Sequence, residues 1–233
     1  MVALAGAAGL GVGVVGTRAI AGEVADKAAI ERIVHDYILA HPEIIPEAMT
    51  RLQGKRTSDA ITAQRAEIET PFGGAWAGNA KPAVTLVMFS DYNCIYCRQS
   101  APIVEKLLAD NPDLKVVWRE IPVLGAGSVT LARAALVAAR QDKYLAFHRG
   151  LFASSRPDEG TVAAIAKANG LDAKRIGEQG KGDDITREIA NNLRLASALG
   201  VDGTPAFVVG GELLSGAVGY DALKKAIDEA RKG

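Results

Sequence analysis

Residues 84–97 read VTLVMFSDYNCIYC. Their first part, Val84–Phe89, is a β-branched apolar run bounded by Pro82 and Asp91, the pattern of a short strand buried on both faces. Cys94 and Cys97, the two cysteines of the chain, follow at once. Beyond them Ile103, Val104, Leu107 and Leu108 recur at helical spacing until Asn111-Pro112 stops the pattern. Leu114–Ile121, LKVVWREI, is then a second strand. Strand, helix and strand in so short a stretch make a βαβ unit, with both cysteines at its strand-to-helix junction.

That position has a chemical meaning. A cysteine at a helix N-terminus faces unpaired amide N–H groups and the positive end of the helix dipole, which favour a thiolate nucleophile. Cys97, one turn further in, is shielded but within reach of the first sulfur, so it can resolve a mixed disulfide or close the pair. Other readings of the pair are weaker. Zinc needs four ligands, and His35, His41 and His148 are scattered without metal-ligand spacing, so no metal site is assigned. A structural disulfide between residues this close would constrain little chain entropy, and two merely buried thiols have no reason to sit at such a turn.

The same stretch resembles the active-site segment of the DsbA-like branch of the thioredoxin superfamily. A second match supports it: GVDGTPAFVVGG, residues 200–211, resembles the proline loop that faces the cysteines in that family. The resemblance implies that Pro205 is cis and that Thr204 presents backbone groups to a substrate chain, with Ile95 and Tyr96 completing the substrate-binding surface. The residues themselves place Pro205 at the first edge of a strand, where proline is tolerated, and leave a simple turn open. REIPVLGAGSVTLARAALVA, residues 119–138, resembles the family's link into an inserted helical domain. Leu131, Ala134, Ala135 and Ala138 repeat at helical spacing, DKYLAFHRGLF, VAAIAKANG and ITREIANNLRLASALG read as further helices, and Gly170 and Gly200 suit their ends. Strands at Ala206–Val209 and Glu212–Ser215 and a helix from Asp221 complete the chain. The fold class expected is α/β: a thioredoxin-like domain (70–124 and 201–233) split by an all-helical insertion (125–200).

Upstream, residues 1–21 form an apolar, Gly- and Ala-rich run with small residues at Ala19 and Ala21, the pattern of a secretory signal. Its uninterrupted part, about 16 residues, falls short of the ~20 that span a membrane, which favours export over an anchor. Residues 22–69 open with a helix capped by Asp26, carrying Ile30, Ile33, Val34, Tyr37 and Ile38 and ending at His41-Pro42. A second short helix over Glu43–Leu52 is expected to break at Gly54, with a polar connector from Asp59 to Glu69. These helices either pack on the main domain or pair with copies of themselves. IERIVHDYILAHPEIIPEAM, residues 30–49, resembles the N-terminal segment of ScsC- and Com1-like members, which implies a homo-oligomer, trimer or dimer, and disulfide isomerisation.

Lys plus Arg equal Asp plus Glu at 27 each, so no global field favours nucleic acid. The reading is a periplasmic thiol–disulfide isomerase or reductase that needs no cofactor, with Cys94 as nucleophile and Cys97 resolving. Its partners are cysteine-containing exported proteins and a membrane thiol–disulfide redox protein. A monomeric dithiol oxidase is the alternative within this class, and a thiolate copper- or zinc-binding protein the alternative outside it. Tyr96 brings no cation to the thiolate, so a less oxidising pair is expected than where a histidine stands in the dipeptide. Glu120 is a candidate for proton handling, and Asp91 either caps the turn or burdens the thiolate.

Overall fold

The computed structural model describes residues 27–232, and the signal-like run and Asp26 lie outside them. The chain divides into two compact units, one ending at Met49 and the other running from Thr50. In the first, α1 (Lys27–Ala40) stops before His41-Pro42 as its pattern predicts. None of its residues is buried; Ile33 and Leu39 are 68 % and 67 % exposed, an unusual surface for so apolar a helix.

The next helix corrects the expected break. α2 runs without interruption from Ile44 to Glu69, through Gly54 and the polar segment after it. An interior glycine costs a helix only about 1 kcal/mol relative to alanine. Lys55 pairs with Asp59 one turn on, and Ile61 and Ile68 are fully buried, each gaining about 1.5–3 kcal/mol. Two isolated isoleucines seven positions apart are a faint sequence signal, yet they share one helix face and suffice to dock it.

The second unit is built on a five-stranded sheet in the order β1 (Trp76–Gly78), β3 (Leu114–Glu120), β2 (Val84–Ser90), β4 (Ala206–Val209), β5 (Glu212–Ser215). Only β2 and β3 are parallel, in the register Val84↔Leu114 to Ser90↔Glu120. They are joined by α3 (Ile95–Asp110), the predicted βαβ unit. β1 was not expected: three residues, the last a glycine, carry no alternation to read, and they become a strand by pairing with β3.

Alternation along the two central strands assigns the faces. Val84, Leu86 and Met88 join Leu114, Val116 and Trp118 in one core, with residues of α3 and of α9 (Tyr220–Ala230). Val87, Phe89, Val117 and Ile121 join the other core, with Ile61 and Ile68 of α2 and with Leu195, Ala196 and Leu199. Between β3 and β4 come α4 (Ala126–Ala139), α5 (Tyr144–Ala153), α6 (Glu159–Ala168), α7 (Ala173–Gln179) and α8 (Asp183–Leu199). α7, too short for a period to show, was also unforeseen. Gly200 ends α8 in the left-handed conformation that favours glycine.

Candidate active site

Cys94 is the N-cap of α3: its backbone is extended, and its sulfur accepts the N–H of Cys97 at 3.4 Å. Its own N–H donates to the Asp91 carbonyl, closing the turn that leaves β2. On the other side the Cys94 thiol donates to the carbonyl oxygen of Thr204 at 3.2 Å. The Thr204–Pro205 peptide bond is cis. The sulfur thus sits between the helix amides and the loop ahead of β4, and the antiparallel pairing of β2 with β4 is what brings them together. Both cysteines are unpaired thiols, Cys97 without exposed surface. Burial pushes the Cys97 thiol well up from its ordinary range.

Ile95 and Tyr96 project outward, 58 % and 56 % exposed, so the rim beside Cys94 is largely apolar. Val123 and Leu124 are also exposed apolar residues. A recess of about 370 Å³ lined by Val123, Leu193, Ala196 and Val201 runs up to Gly203, next to Thr204.

Asp91 is a turn cap. Its Oδ1 accepts the N–H of Asn93 at 2.8 Å, and its Oδ2 accepts those of Val123 and Leu124 at 2.9 and 3.0 Å. One carboxylate therefore ties the cysteine turn to the segment leaving β3.

Glu120 is neither solvated nor ion-paired, the usual state of a charged residue at a strand end. It is fully buried, and its Oε1 accepts the hydroxyls of Tyr92 at 2.8 Å and Tyr144 at 2.5 Å. Both tyrosine oxygens also meet Nδ1 of His148, at 3.0 and 3.2 Å. Burial pushes the Glu120 carboxyl up to about 7, against the lowering effect of the two phenols. Burial likewise holds His148 down to about 3, so its ring is neutral.

The DSBA-like thioredoxin domain matches residues 85–228, well over half of the chain. The chain belongs to this family. The N-terminal domain of the copper resistance protein ScsC matches residues 26–57. A thioredoxin-like oxidoreductase from Silicibacter pomeroyi is 42 % identical, with 68 % of this chain and 92 % of that one covered at a TM-score of 0.65. A linker-deletion mutant of Proteus mirabilis ScsC is 28 % identical over 89 % and 96 % of the two chains, TM-score 0.72. The thiol-disulfide exchange protein α-DsbA2 from Wolbachia pipientis is 28 % identical over 76 % and 97 %, TM-score 0.70. A Na(+)/H(+) antiporter NhaA 3 of Salinispora tropica is 31 % identical over 158 residues, 66 % of this chain. This chain spans 24 % of that antiporter's length. Among the described residues no helix is long and apolar enough to cross a membrane.

The DsbA-like fold brings together Cys94, Cys97 and Thr204 and exposes Ile95 and Tyr96 beside them. It puts Glu120 on the same sheet face as the cysteine helix but holds it through Tyr92 and Tyr144, which sequence reasoning did not single out, and His148, which it weighed only as a metal ligand. Tyr144 and His148 stand four apart on one helix, and Tyr92 stands two before Cys94. That spacing of polar aromatics was the available signal.

Proposed function

We propose that Cys94 attacks client disulfides as a thiolate, that Cys97 resolves the mixed disulfide, and that Thr204, Pro205, Ile95 and Tyr96 receive the client chain. The observation that carries this is the placement of Cys94 Sγ between the Cys97 amide and the Thr204 carbonyl. The amide favours the thiolate form, while the carbonyl stands where an extended client backbone would pair. The apolar rim and the adjoining recess suit segments of unfolded, exported proteins.

The protein acts in the periplasm as a disulfide isomerase or reductase, reset by a membrane thiol–disulfide partner. It works as a homo-oligomer, trimer or dimer, joined through its N-terminal helices. The exposed apolar residues of α1 support this, because a lone helix has no reason to present Ile33, Val34, Tyr37 and Leu39 to water. Several cysteine sites facing a shared client could hold it through successive rounds of attack and release. Glu120 serves as the proton-handling group of the site.

The test is reactivation of scrambled, fully oxidised ribonuclease under mildly reducing conditions, comparing the full chain with a truncation that starts at Thr50. Cutting there keeps Ile61 and Ile68, which the core requires. Reactivation by the full chain alone establishes an isomerase assembled by its N-terminal helices. Oxidation of reduced ribonuclease by both, with no reactivation by either, would make it a monomeric oxidase instead.

A further inference from the structure

Beneath the cysteine turn a file of protonatable groups leads from the protein surface to Glu120, and thiol exchange, as described, leaves all of it but Glu120 unused. It starts at a recess of about 200 Å³ between α3 and α5, lined by Arg98, Glu105, His148, Arg149 and Phe152. His148 forms part of its wall, and Nδ1 of the same ring reaches the hydroxyls of Tyr92 and Tyr144. Those hydroxyls reach Glu120 Oε1. Glu120 Oε2 is buried without a partner, an open position for a proton.

Each member can pass a proton on. A phenol both donates and accepts. A neutral imidazole takes a proton at Nε2 and releases one at Nδ1, so it conducts without remaining charged. Burial keeps His148 in that neutral form and makes protonation of Glu120 accessible near neutral pH. The charged surroundings are few. Glu120 faces Asp91 and Tyr92 from the turn and Tyr144 and His148 from α5. Arg119, paired with Glu188, packs on the opposite face of β3. Arg149, paired with Glu105, stands at the recess.

We propose that His148, with Tyr92 and Tyr144, conducts protons between the α3–α5 recess and Glu120, and that Glu120 gains a proton when the Cys94–Cys97 pair is reduced and returns it on oxidation. This rests on the thiol-exchange reading and deepens it. When a client dithiol reduces the pair, the Cys94–Cys97 S–S bond breaks, the client's S–S bond forms, and two electrons pass to the pair. Of the client's two protons one ends on Cys97 and the other is released, leaving Cys94 as thiolate. Glu120 takes one proton from the recess. A negative charge thus appears at Cys94 as one disappears at Glu120, so reduction adds no net charge to the interior. Glu120 is a charge-compensating group here and His148 a positioning residue for its proton.

The experiment is infrared difference spectroscopy on the full chain, as wild type, Glu120→Gln, His148→Phe and Tyr144→Phe. His148→Phe keeps an aromatic ring against Trp118 and Phe152, and Tyr144→Phe removes only a hydroxyl. Reduction by dithiothreitol at near-neutral pH is expected to raise a protonated-carboxyl band in wild type that Glu120→Gln lacks. After a rapid drop in pH, that band should grow at least about tenfold more slowly in His148→Phe, the scale of a lost proton-transfer group, and reach the same final amplitude. Tyr144→Phe should slow it too. A smaller slowing in His148→Phe overturns the relay and leaves Glu120 as the redox-linked group. A wild-type spectrum without the band overturns the redox linkage. Failure of wild type to exchange with the dithiol at all overturns the function beneath both.

Discussion

Cys94 Sγ lies 3.2 Å from the carbonyl oxygen of Thr204, a residue 110 positions further along the chain. The contact is asymmetric in protonation. A carbonyl accepts the S–H but offers nothing to a thiolate, whereas the Cys97 N–H on the other side favours the thiolate. A client N–H that takes the Thr204 carbonyl therefore removes the partner of the thiol form.

If Cys97 resolves, Cys97→Ser should accumulate client proteins disulfide-linked to Cys94, while Cys94→Ser accumulates none. Non-reducing gels of extracts reducible by dithiothreitol read this directly. Metal loss without trapped clients would move the protein to the thiolate metal-binding class.

Tyr96 places no cation at the thiolate, so the reduction potential should lie below about −120 mV, the value of a strongly oxidising pair. Tyr96→His should shift it upward by about 30 mV, the equivalent of about 1.4 kcal/mol in the reduced form. Equilibration with glutathione followed by quantification of free thiols measures both. A wild-type value at or above that limit would remove the argument.

Arg119 is buried on the α2–α8 face of β3 and serves three partners at once. It pairs with Glu188 at 2.9 Å, bonds Asn192 at 3.1 Å, and caps the end of α2 through the carbonyls of Glu67, Ile68 and Thr70. Arg119→Met leaves a half-buried carboxylate and several helix carbonyls unmatched, which should cost about 3–5 kcal/mol in urea unfolding. A loss under about 1 kcal/mol would show that the clamp carries no net stability.

Glu120 and His148 pull the pH dependence of stability in opposite directions. Glu120, raised to about 7 from 4.5, contributes stability that is full below its unfolded value and is lost as pH climbs to about 7. His148, lowered to about 3 from 6.5, contributes stability that is full above 6.5 and is lost as pH falls toward 3. Between 4.5 and 6.5 the two slopes oppose each other. Glu120→Gln should therefore become more stable with rising pH across that window, and His148→Phe less stable, each by up to about 1.4 kcal/mol per unit. Urea midpoints at several pH values test the signs, and parallel curves for all three proteins would refute the assignment.

Much of the fold was legible because it rests on local periodicity. Val84–Phe89 and Leu114–Ile121 matched their strands to within a residue, and Ile95–Asp110 forms the helix expected between them. β1 and α7 were missed because elements of three and seven residues hold too few apolar positions to show a period. The break expected at Gly54 did not occur, since burial of Ile61 and Ile68 outweighs one unfavourable helix residue.

The amino-acid order by itself determined the cysteine pair and its place at a strand-to-helix junction, since both are written in adjacent residues. Tertiary structure alone decided which carbonyl faces Cys94, that Arg119 closes the end of α2, and that Glu120 is enclosed by Tyr92, Tyr144 and His148. Those contacts join residues from β3, α5 and separate turns, and sequence spacing carries no information on such meetings. Removal from water then shifts the protonation of Glu120 and His148, a property that arises only once the core has closed.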